Sequence, residues 1–594
     1  MQASDSSLER LISTTRHYAS PFGVRHESSN LLQYLQAIQA RDAFISTDNI
    51  AALGQTLGLS TTQIKSVIDF YSLLNTEPCR YDIRFSDNIT DRMQHNGALR
   101  VKLQAAIKPV AEQVRINTTS CTGLCDQGPG LLVNGVAIGT LDADRISQIA
   151  ELINSGVAVS DWPIEFFQIR DNIHRKDLLL EALDQHDNDG LQALLKQDDN
   201  AILETLQQSG LRGRGGAGFP TARKWQSCRD SQARQRYVVC NADEGEPGTF
   251  KDRVLLNRYA HQVFEGMTLC AAIIGATRGF IYLRSEYRYL LGPLLQVRQQ
   301  RLDAGLLGDN ILNQPGLDFD IGIHIGAGAY ICGEESALIE SLEGKRGVPR
   351  IRPPFPVVQG YDNQPTVVNN VETFAAAAAI AARGADWFRQ AGTDESTGSK
   401  LLSISGDCAK PGIYEYPFGV RIREILDDCG AHDSQAVQIA GAAGRLIPAD
   451  QFERKLAFED LATGGSFMVF DQSRNLLDVV DNFAGFFVHE SCGFCTPCRV
   501  GTSLLRDLFN KLQQGHASAY DVEEMRRIGH LMRHASHCGL GTTAANPLLD
   551  LIENFPQLVK AQLGNPDYEP AFDLDAALQQ SRNLTGRNDD HAHL

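Results

Sequence analysis

Apolar residues recur at helical spacing through the first 75 positions. Behind Ser60-Thr61-Thr62-Gln63, which has the form of a capping box, Ile64, Val67, Ile68 and Tyr71 fall on one face. From 76 to 157 the period shortens: strand patterns at 81–85 and 114–117 precede a hairpin over 131–138 that turns at Asn134-Gly135. An amphipathic helix follows through Ile146, Ile149, Leu152 and Ile153. Residues 158–200 read as a connecting segment with a helix at 177–183, and their acidic end precedes another helix. Between 201 and 397 helices alternate with strands at 237–240, 279–283 and 321–325, the pattern of a largely parallel sheet. Short strands at 401–405, 437–439 and 466–470 then surround a helix at 420–427, and 471–565 is helical again. The tail, 566–594, with its run Asn588-Asp589-Asp590-His591-Ala592-His593, is expected to be disordered. No internal repeat is present.

These patterns give a multidomain α/β protein. The expected units are an N-terminal helical segment (1–75), a thioredoxin-like domain (76–157), the connector (158–200), a ligand-binding α/β domain (201–397), a β-grasp-like domain (398–470) and a helical domain (471–565). At 594 residues the chain is too long for one hydrophobic core. Its formal charge of −17, from 55 basic and 72 acidic residues with no Lys/Arg-rich run, argues against a nucleic-acid partner. Thirteen cysteines are too sparse for a disulfide scaffold, and a thiolate cluster suits a reducing compartment, so a cytoplasmic protein is expected. The first ten residues carry Asp5 and Glu9 without an apolar core, and the most uniformly apolar run, 374–382, ends at Arg383. Neither a signal peptide nor a membrane span is expected.

The chemistry concentrates in the helical domain and in four loops. Cys492, Cys495 and Cys498 stand at two-residue spacing, and Cys538 waits downstream in His537-Cys538-Gly539. Three thiolates from one turn and a distant fourth are a common way to hold a [4Fe-4S] centre. Zinc is the alternative metal, although structural zinc sites more often pair two knuckles or add histidines. Gly213-Arg214-Gly215-Gly216-Ala217-Gly218 satisfies G-x-G-x-x-G, but 203–211 ahead of it reads as helix, so it is not the usual dinucleotide turn. Its backbone N–H groups can still approach a phosphate. The strand 237–240 runs into Asn241-Ala242-Asp243-Glu244-Gly245-Glu246, and two more polar clusters follow at 326–335 and 368–373. Polar loops at the carboxyl ends of strands are where α/β sheets bind ligands.

The stretches RGRGGAGFPTARKW (212–225), NADEGEPGTFKDR (241–253), GAYICGEESALIESLEGKRG (328–347), PTVVNNVET (365–373) and ESCGFCTPCRVGT (490–502) together resemble the flavin-containing NADH-oxidising subunit of respiratory complex I. The module ahead of them resembles the thioredoxin-like [2Fe-2S] subunit of the same enzyme. That fusion is most similar to the diaphorase alpha subunits of soluble NAD-reducing hydrogenases. The resemblance implies that Gly213, Arg214, Gly215, Gly216, Lys224, Asn241, Asp243, Glu244, Gly333, Glu334, Asn369 and Asn370 hold FMN. It implies that Phe219, Glu246, Glu335 and Phe355 line the NADH site, and that Cys492, Cys495, Cys498 and Cys538 hold the cluster.

A flavin suits this set, because NADH gives up two electrons as a hydride whereas an iron–sulfur cluster takes one at a time. No side chain need attack the substrate. The implied partners are a separate iron–sulfur diaphorase subunit and a hydrogenase module on other chains. The alternative is the electron-input subunit of complex I or of an NAD-dependent formate dehydrogenase; a non-catalytic iron–sulfur scaffold would carry no flavin loops. One departure concerns the N-terminal module. Its family ligates [2Fe-2S] through two cysteine pairs, and here Ser86 and Asp91 stand in the places of the first. Cys121 and Cys125 match the second, and Cys79 is out of register, so no [2Fe-2S] cluster is expected there.

Overall fold

The computed structural model describes residues 2–108, 114–185, 189–564 and 574–587. The short-period stretch after the first helices forms a four-stranded sheet ordered β2-β1-β3-β4. In it β1 (Tyr81–Ser86) pairs parallel with β2 (Val114–Thr119) and antiparallel with β3 (Leu131–Val133), which turns back into β4 (Val136–Ile138). Asn134 and Gly135 carry φ of 49° and 79°, the left-handed pair that a two-residue hairpin turn needs. The helix Ala143–Asn154 lays Ile146, Ile149 and Ile153 on this sheet, and Asp142 caps it by accepting from the Arg145 N–H at 2.7 Å.

The segment read as a connector supplies β5 (Ile173–Arg175), which joins a later sheet as its edge strand. The central sheet is wholly parallel, ordered β8-β7-β6-β9, from β6 (Tyr237–Ala242), β7 (Arg278–Leu283), β8 (Asp320–Ile325) and β9 (Thr366–Asn370). The sequence pattern presents part of β9 as a polar loop. Its Thr366, Val367 and Val368 are buried beside β6, and only its end is polar. The helices Ala260–Ile274 and Val371–Arg383 pack against each other beside it, with Gly266 at the crossing. A Cβ there would lie 2.1 Å from the Phe374 carbonyl, so only glycine permits this approach.

The third sheet is ordered β13-β12-β14-β10-β11-β5, from β10 (Ser399–Gly406), β11 (Gly412–Pro417), β12 (Ser434–Ile439), β13 (Arg445–Pro448) and β14 (Ser466–Asp471). The helix Ile422–Cys429 covers it with Ile422, Ile425 and Leu426. Buried Glu415 on β11 accepts the N–H groups of Asp177, Leu179 and Leu180 at 2.9, 2.5 and 2.8 Å, capping the helix Leu178–Asp184 across the join.

The N-terminal helices brace the central sheet. Gln33 and Gln36 donate to the Ile325 carbonyl at 2.9 and 2.7 Å, and the Ser72 and Leu73 N–H groups bond Gly328 and Ala327 in the loop after β8. The C-terminal domain is built from Leu476–Glu490, Thr496–Gln513, Ala519–Ala535 and Asn546–Asn554. Within the tail expected to be disordered, Leu574–Thr585 is helical, a correction; 588–594 lie outside the described residues. Among the described residues no helix is long and apolar enough to cross a membrane.

Candidate functional site

The three polar clusters stand at the carboxyl ends of β6, β8 and β9, and the glycine loop packs against the last of them. That loop lies between the helices Asp199–Ser209 and Thr221–Asp230, not after a strand. The Gly213 N–H bonds the Phe219 carbonyl at 2.9 Å, and the Arg214 N–H reaches Thr373 Oγ1 at 2.9 Å. Gly215 lies against Asn370, whose Cβ would be 3.1 Å from a side chain there. Gly216, with φ of 145°, has no protein atom within 4 Å of where a Cβ would stand. The loop is thus pinned at its base and open over its crest, where a ligand's phosphate would meet backbone N–H groups.

The other expected site residues fall around this crest in different ways. Asn241 donates to the Gly333 carbonyl at 2.8 Å, joining the β6 and β8 loops. Lys224 Nζ bonds Glu335 at 2.9 Å and the Val368 carbonyl at 3.0 Å. Asn369 Oδ1 accepts from the Trp225 indole at 2.8 Å, while Asn370 caps the helix Val371–Arg383 and donates to Asp252 at 2.6 Å. Glu334 caps Glu335–Leu342 through one oxygen and ion-pairs with Arg352 at 3.2 Å; its Oε1 makes no hydrogen bond. Asp243 Oδ2 is also unpartnered, and burial lifts this carboxyl to about 8. Burial lifts Glu246 to about 7; it accepts from the Tyr330 hydroxyl at 2.5 Å and the Ala443 N–H at 3.1 Å. The rings of Phe219 and Phe355 are 48% and 51% exposed, as platforms for a nucleotide would be.

Two of the expected side chains point their charge elsewhere. The Arg214 guanidinium is buried over Phe418 and near Phe388, donating to the Thr397 carbonyl, so only its backbone serves the glycine loop. The Glu244 carboxylate caps the helix Lys251–Arg258 through the Asp252 and Arg253 N–H groups at 2.8 and 3.2 Å and accepts from Tyr287 at 2.9 Å. A buried charge network escaped the sequence pattern: Lys251 bonds Asp252 at 2.5 Å and Glu372 at 3.2 Å, and Lys400 pairs with Glu372 and donates to the Arg214 carbonyl. Its signal lay in the 241–253 and 365–373 stretches, where Lys251, Asp252 and Glu372 are charges amid buried neighbours.

Cys492, Cys495, Cys498 and Cys538 line one hollow with Phe494, His537, Ile331 and Pro349. Two of those walls belong to the chain between β8 and β9, and His537 bonds the Arg350 carbonyl at 3.0 Å. Among the described residues no three His, Cys, Asp or Glu side chains converge on a point for a single ion. Four thiols around a hollow suit a cluster better than zinc. Burial lifts the Cys498 and Cys538 thiols to about 11.

The N-terminal module is different. Cys121 and Cys125 are buried with Sγ atoms 3.5 Å apart, and the Asn88 amide nitrogen lies 3.2 and 3.3 Å from them, 2.9 Å from Asp91 and 3.4 Å from Ser86, its two N–H groups shared among the four. The Cys125 hydrogen bond holds Cys121 below the ordinary thiol range, and the same bond, with burial, holds Cys125 above it. The four positions that would ligate a [2Fe-2S] core do meet, but around an amide.

Comparison with known proteins decides the family. Over 583 residues the chain is 42% identical to the NAD-reducing hydrogenase HoxS subunit alpha of Cupriavidus necator, covering 93% of this chain and 96% of that one. The chain belongs to this family. The crystal structure of an NAD+-reducing [NiFe]-hydrogenase in the H2-reduced state contains a chain of the same fold, with TM-score 0.85 and 45% identity, covering 96% of this chain and 98% of that chain. The NADP-reducing hydrogenase subunit HndC of Solidesulfovibrio fructosivorans is 39% identical over 63% of this chain and 78% of its own. Residues 206–379 match the Nuo51 FMN-binding domain and 478–562 the iron–sulfur binding region of NADH-ubiquinone oxidoreductase-F. Residues 16–154 match the thioredoxin-like [2Fe-2S] ferredoxin family, which counts against the expectation of a cluster-free module.

Proposed function

We propose that this chain is the diaphorase subunit of a cytoplasmic NAD-reducing hydrogenase, exchanging electrons between NAD(H) and a [4Fe-4S] cluster through FMN. The observation that carries the reading is the shared wall: the four-cysteine hollow is bounded by Ile331 and Pro349, residues flanking the Gly333–Glu335 loop. A cluster held there would stand beside the nucleotide site. FMN, when bound, would accept hydride and part with electrons singly. The chain's own part is to hold it: backbone N–H groups of Gly213, Gly215 and Gly216 for the phosphate, Asn241, Asp243, Gly333, Asn369 and Asn370 around it, and Lys224 as nearby positive charge. Phe219 and Phe355 would stack or wall the coenzyme, with Glu246 and Glu335 polar to it. Cys492, Cys495, Cys498 and Cys538 would hold the cluster and hand electrons to a separate iron–sulfur subunit, with the hydrogenase on further chains.

We also propose that the N-terminal module, despite its family, binds no [2Fe-2S] cluster, because the Asn88 amide takes the space between its ligand positions. A match to a hydrogenase chain over 93% of this one favours the hydrogenase over the complex I or formate dehydrogenase alternative. The test is to purify the native complex and assay H2-dependent NAD+ reduction with flavin and iron content. Co-purification with a formate-oxidising or quinone-reducing partner, with no H2-dependent activity, would move the chain to the alternative.

A further inference from the structure

Oxidation of NADH to NAD+ yields two electrons and one proton. The clusters take the electrons, so each turnover leaves one proton to be carried away from the site. Asp243, on the loop after β6, lines a cavity of about 20 Å³ with Thr119, Ser120, Arg284, Glu286 and Glu490. That is room for one water with several polar partners. Glu490 is a fixed wall: it accepts from Ser120 Oγ at 2.5 Å and from the Tyr330 N–H at 2.9 Å. Arg284 is likewise fixed, donating to Glu286 at 2.8 Å and to the Glu244 and Cys121 carbonyls, both at 2.6 Å. Asp243 Oδ2 is buried in this set with no hydrogen-bond partner from the protein.

Thr119 and Ser120 also border a second, polar cavity of about 220 Å³, lined by Asp87, Arg92, Asp481, His489 and Arg506. The Asp87–Arg92 pair at its edge has side chains 42% exposed, so this cavity reaches solvent. We infer that the two cavities form a proton exit from the flavin site, with Asp243 as its inner carboxyl and the end of β2, Thr119 and Ser120, as its junction. The inference rests on the reading above that Asp243 stands at the flavin. It gives the N-terminal module a task in electron transfer that needs no cluster: it supplies one wall of the route.

The charges that face Asp243 are Arg284, Glu286 and Glu490, with Glu244 and Glu246 on its own loop and Tyr71, Tyr282 and Cys332 beneath. Burial against this set holds Asp243 at about 8, where it gains and loses protons near neutral pH.

The test uses the native complex at rest. A protonated-carboxyl infrared band that disappears in Asp243→Asn identifies the group, and its shift after transfer to D2O gives its exchange rate. Ser120→Val is expected to slow that exchange at least ~10-fold and to raise the solvent isotope effect on NADH-dependent dye reduction. Ser120→Thr, which keeps the hydroxyl, is expected to restore both. If Ser120→Val does not fold, Thr119→Val blocks the same junction. Equal exchange rates in wild type and the valine variant, or no band lost in Asp243→Asn, overturn the route. A wild-type complex without flavin would instead overturn the proposed function, so the two failures are distinguishable.

Discussion

Coenzyme choice can be worked from the rim of the nucleotide site. Glu335 lies 2.9 Å from Lys224 Nζ and 3.8 Å from Arg352, with its side chain 25% exposed. By resemblance it meets the adenosine ribose, where a carboxylate accepts from the 2′-hydroxyl and repels a 2′-phosphate. Two like unit charges about 5 Å apart at an effective dielectric of about 20 repel by roughly 3 kcal/mol, and partial exposure reduces this to about 2. Glu246, which burial lifts to about 7, is about half ionised at neutral pH and adds to the repulsion in that proportion. Glu335→Gln removes the charge at nearly constant shape and leaves Lys224 and Arg352 to attract the phosphate. NADH is expected to be preferred over NADPH by about 100-fold in wild type, and the variant's ratio of kcat/KM is expected to fall by about 30-fold. The assay is dye reduction with each coenzyme. An unchanged ratio would mean that Glu335 only serves the N-terminus of its own helix, as a first-turn carboxylate often does.

Cys495→Ala is expected to abolish the [4Fe-4S] EPR signal and slow electron delivery to the partner, while NADH still bleaches the flavin; a normal cluster spectrum would void the ligand assignment. On the proposal that the N-terminal module holds no cluster, the isolated chain is expected to contain about four iron atoms; a reduced [2Fe-2S] EPR signal would reverse that proposal. Glu415→Ala strands the Asp177, Leu179 and Leu180 N–H groups in a buried site and should cost about 3–5 kcal/mol of stability in denaturant unfolding. Burial raises Asp91 from 3.8 to about 8, so its contribution is fully present below the lower value and is lost as pH rises through the upper. Asp91→Asn should therefore gain on wild type by up to about 1.4 kcal/mol per pH unit across that window, and a pH-independent difference would contradict the burial argument.

Local chemistry was legible where it decides structure alone. The Ser60 capping box forms as read, with Ser60 Oγ accepting from the Gln63 N–H at 3.2 Å and the Gln63 side chain returning to the Ser60 N–H at 2.9 Å. The Asn134-Gly135 hairpin and the helix ahead of the glycine loop were equally plain, because each is fixed by residues a few positions apart. Strands β9 and β11 were not. Asn369, Asn370 and Glu415 interrupt the apolar pattern, and their partners come from distant segments: Trp225 and Asp252 for the asparagines, 177–180 for the glutamate. The same cause hid the direction of Arg214 and Glu244, whose charges are satisfied by Thr397 and by the helix Lys251–Arg258. Motif spacing located the loops but could not say which side chains the fold would claim for itself. In the N-terminal module the two substituted ligand positions were visible, whereas Asn88 filling the space between them required the structure.

The central claim is that hydride taken from NADH leaves as single electrons through a cluster held by Cys492, Cys495, Cys498 and Cys538. Its most direct test is an anaerobic mixing of NADH with the purified native complex, following flavin absorbance and low-temperature EPR in the same samples. The account predicts that the flavin band bleaches and a reduced [4Fe-4S] signal, absent in Cys495→Ala, grows with it. A protein that binds NADH yet shows no flavin band, or a cluster that stays oxidised while the flavin is reduced, would contradict it.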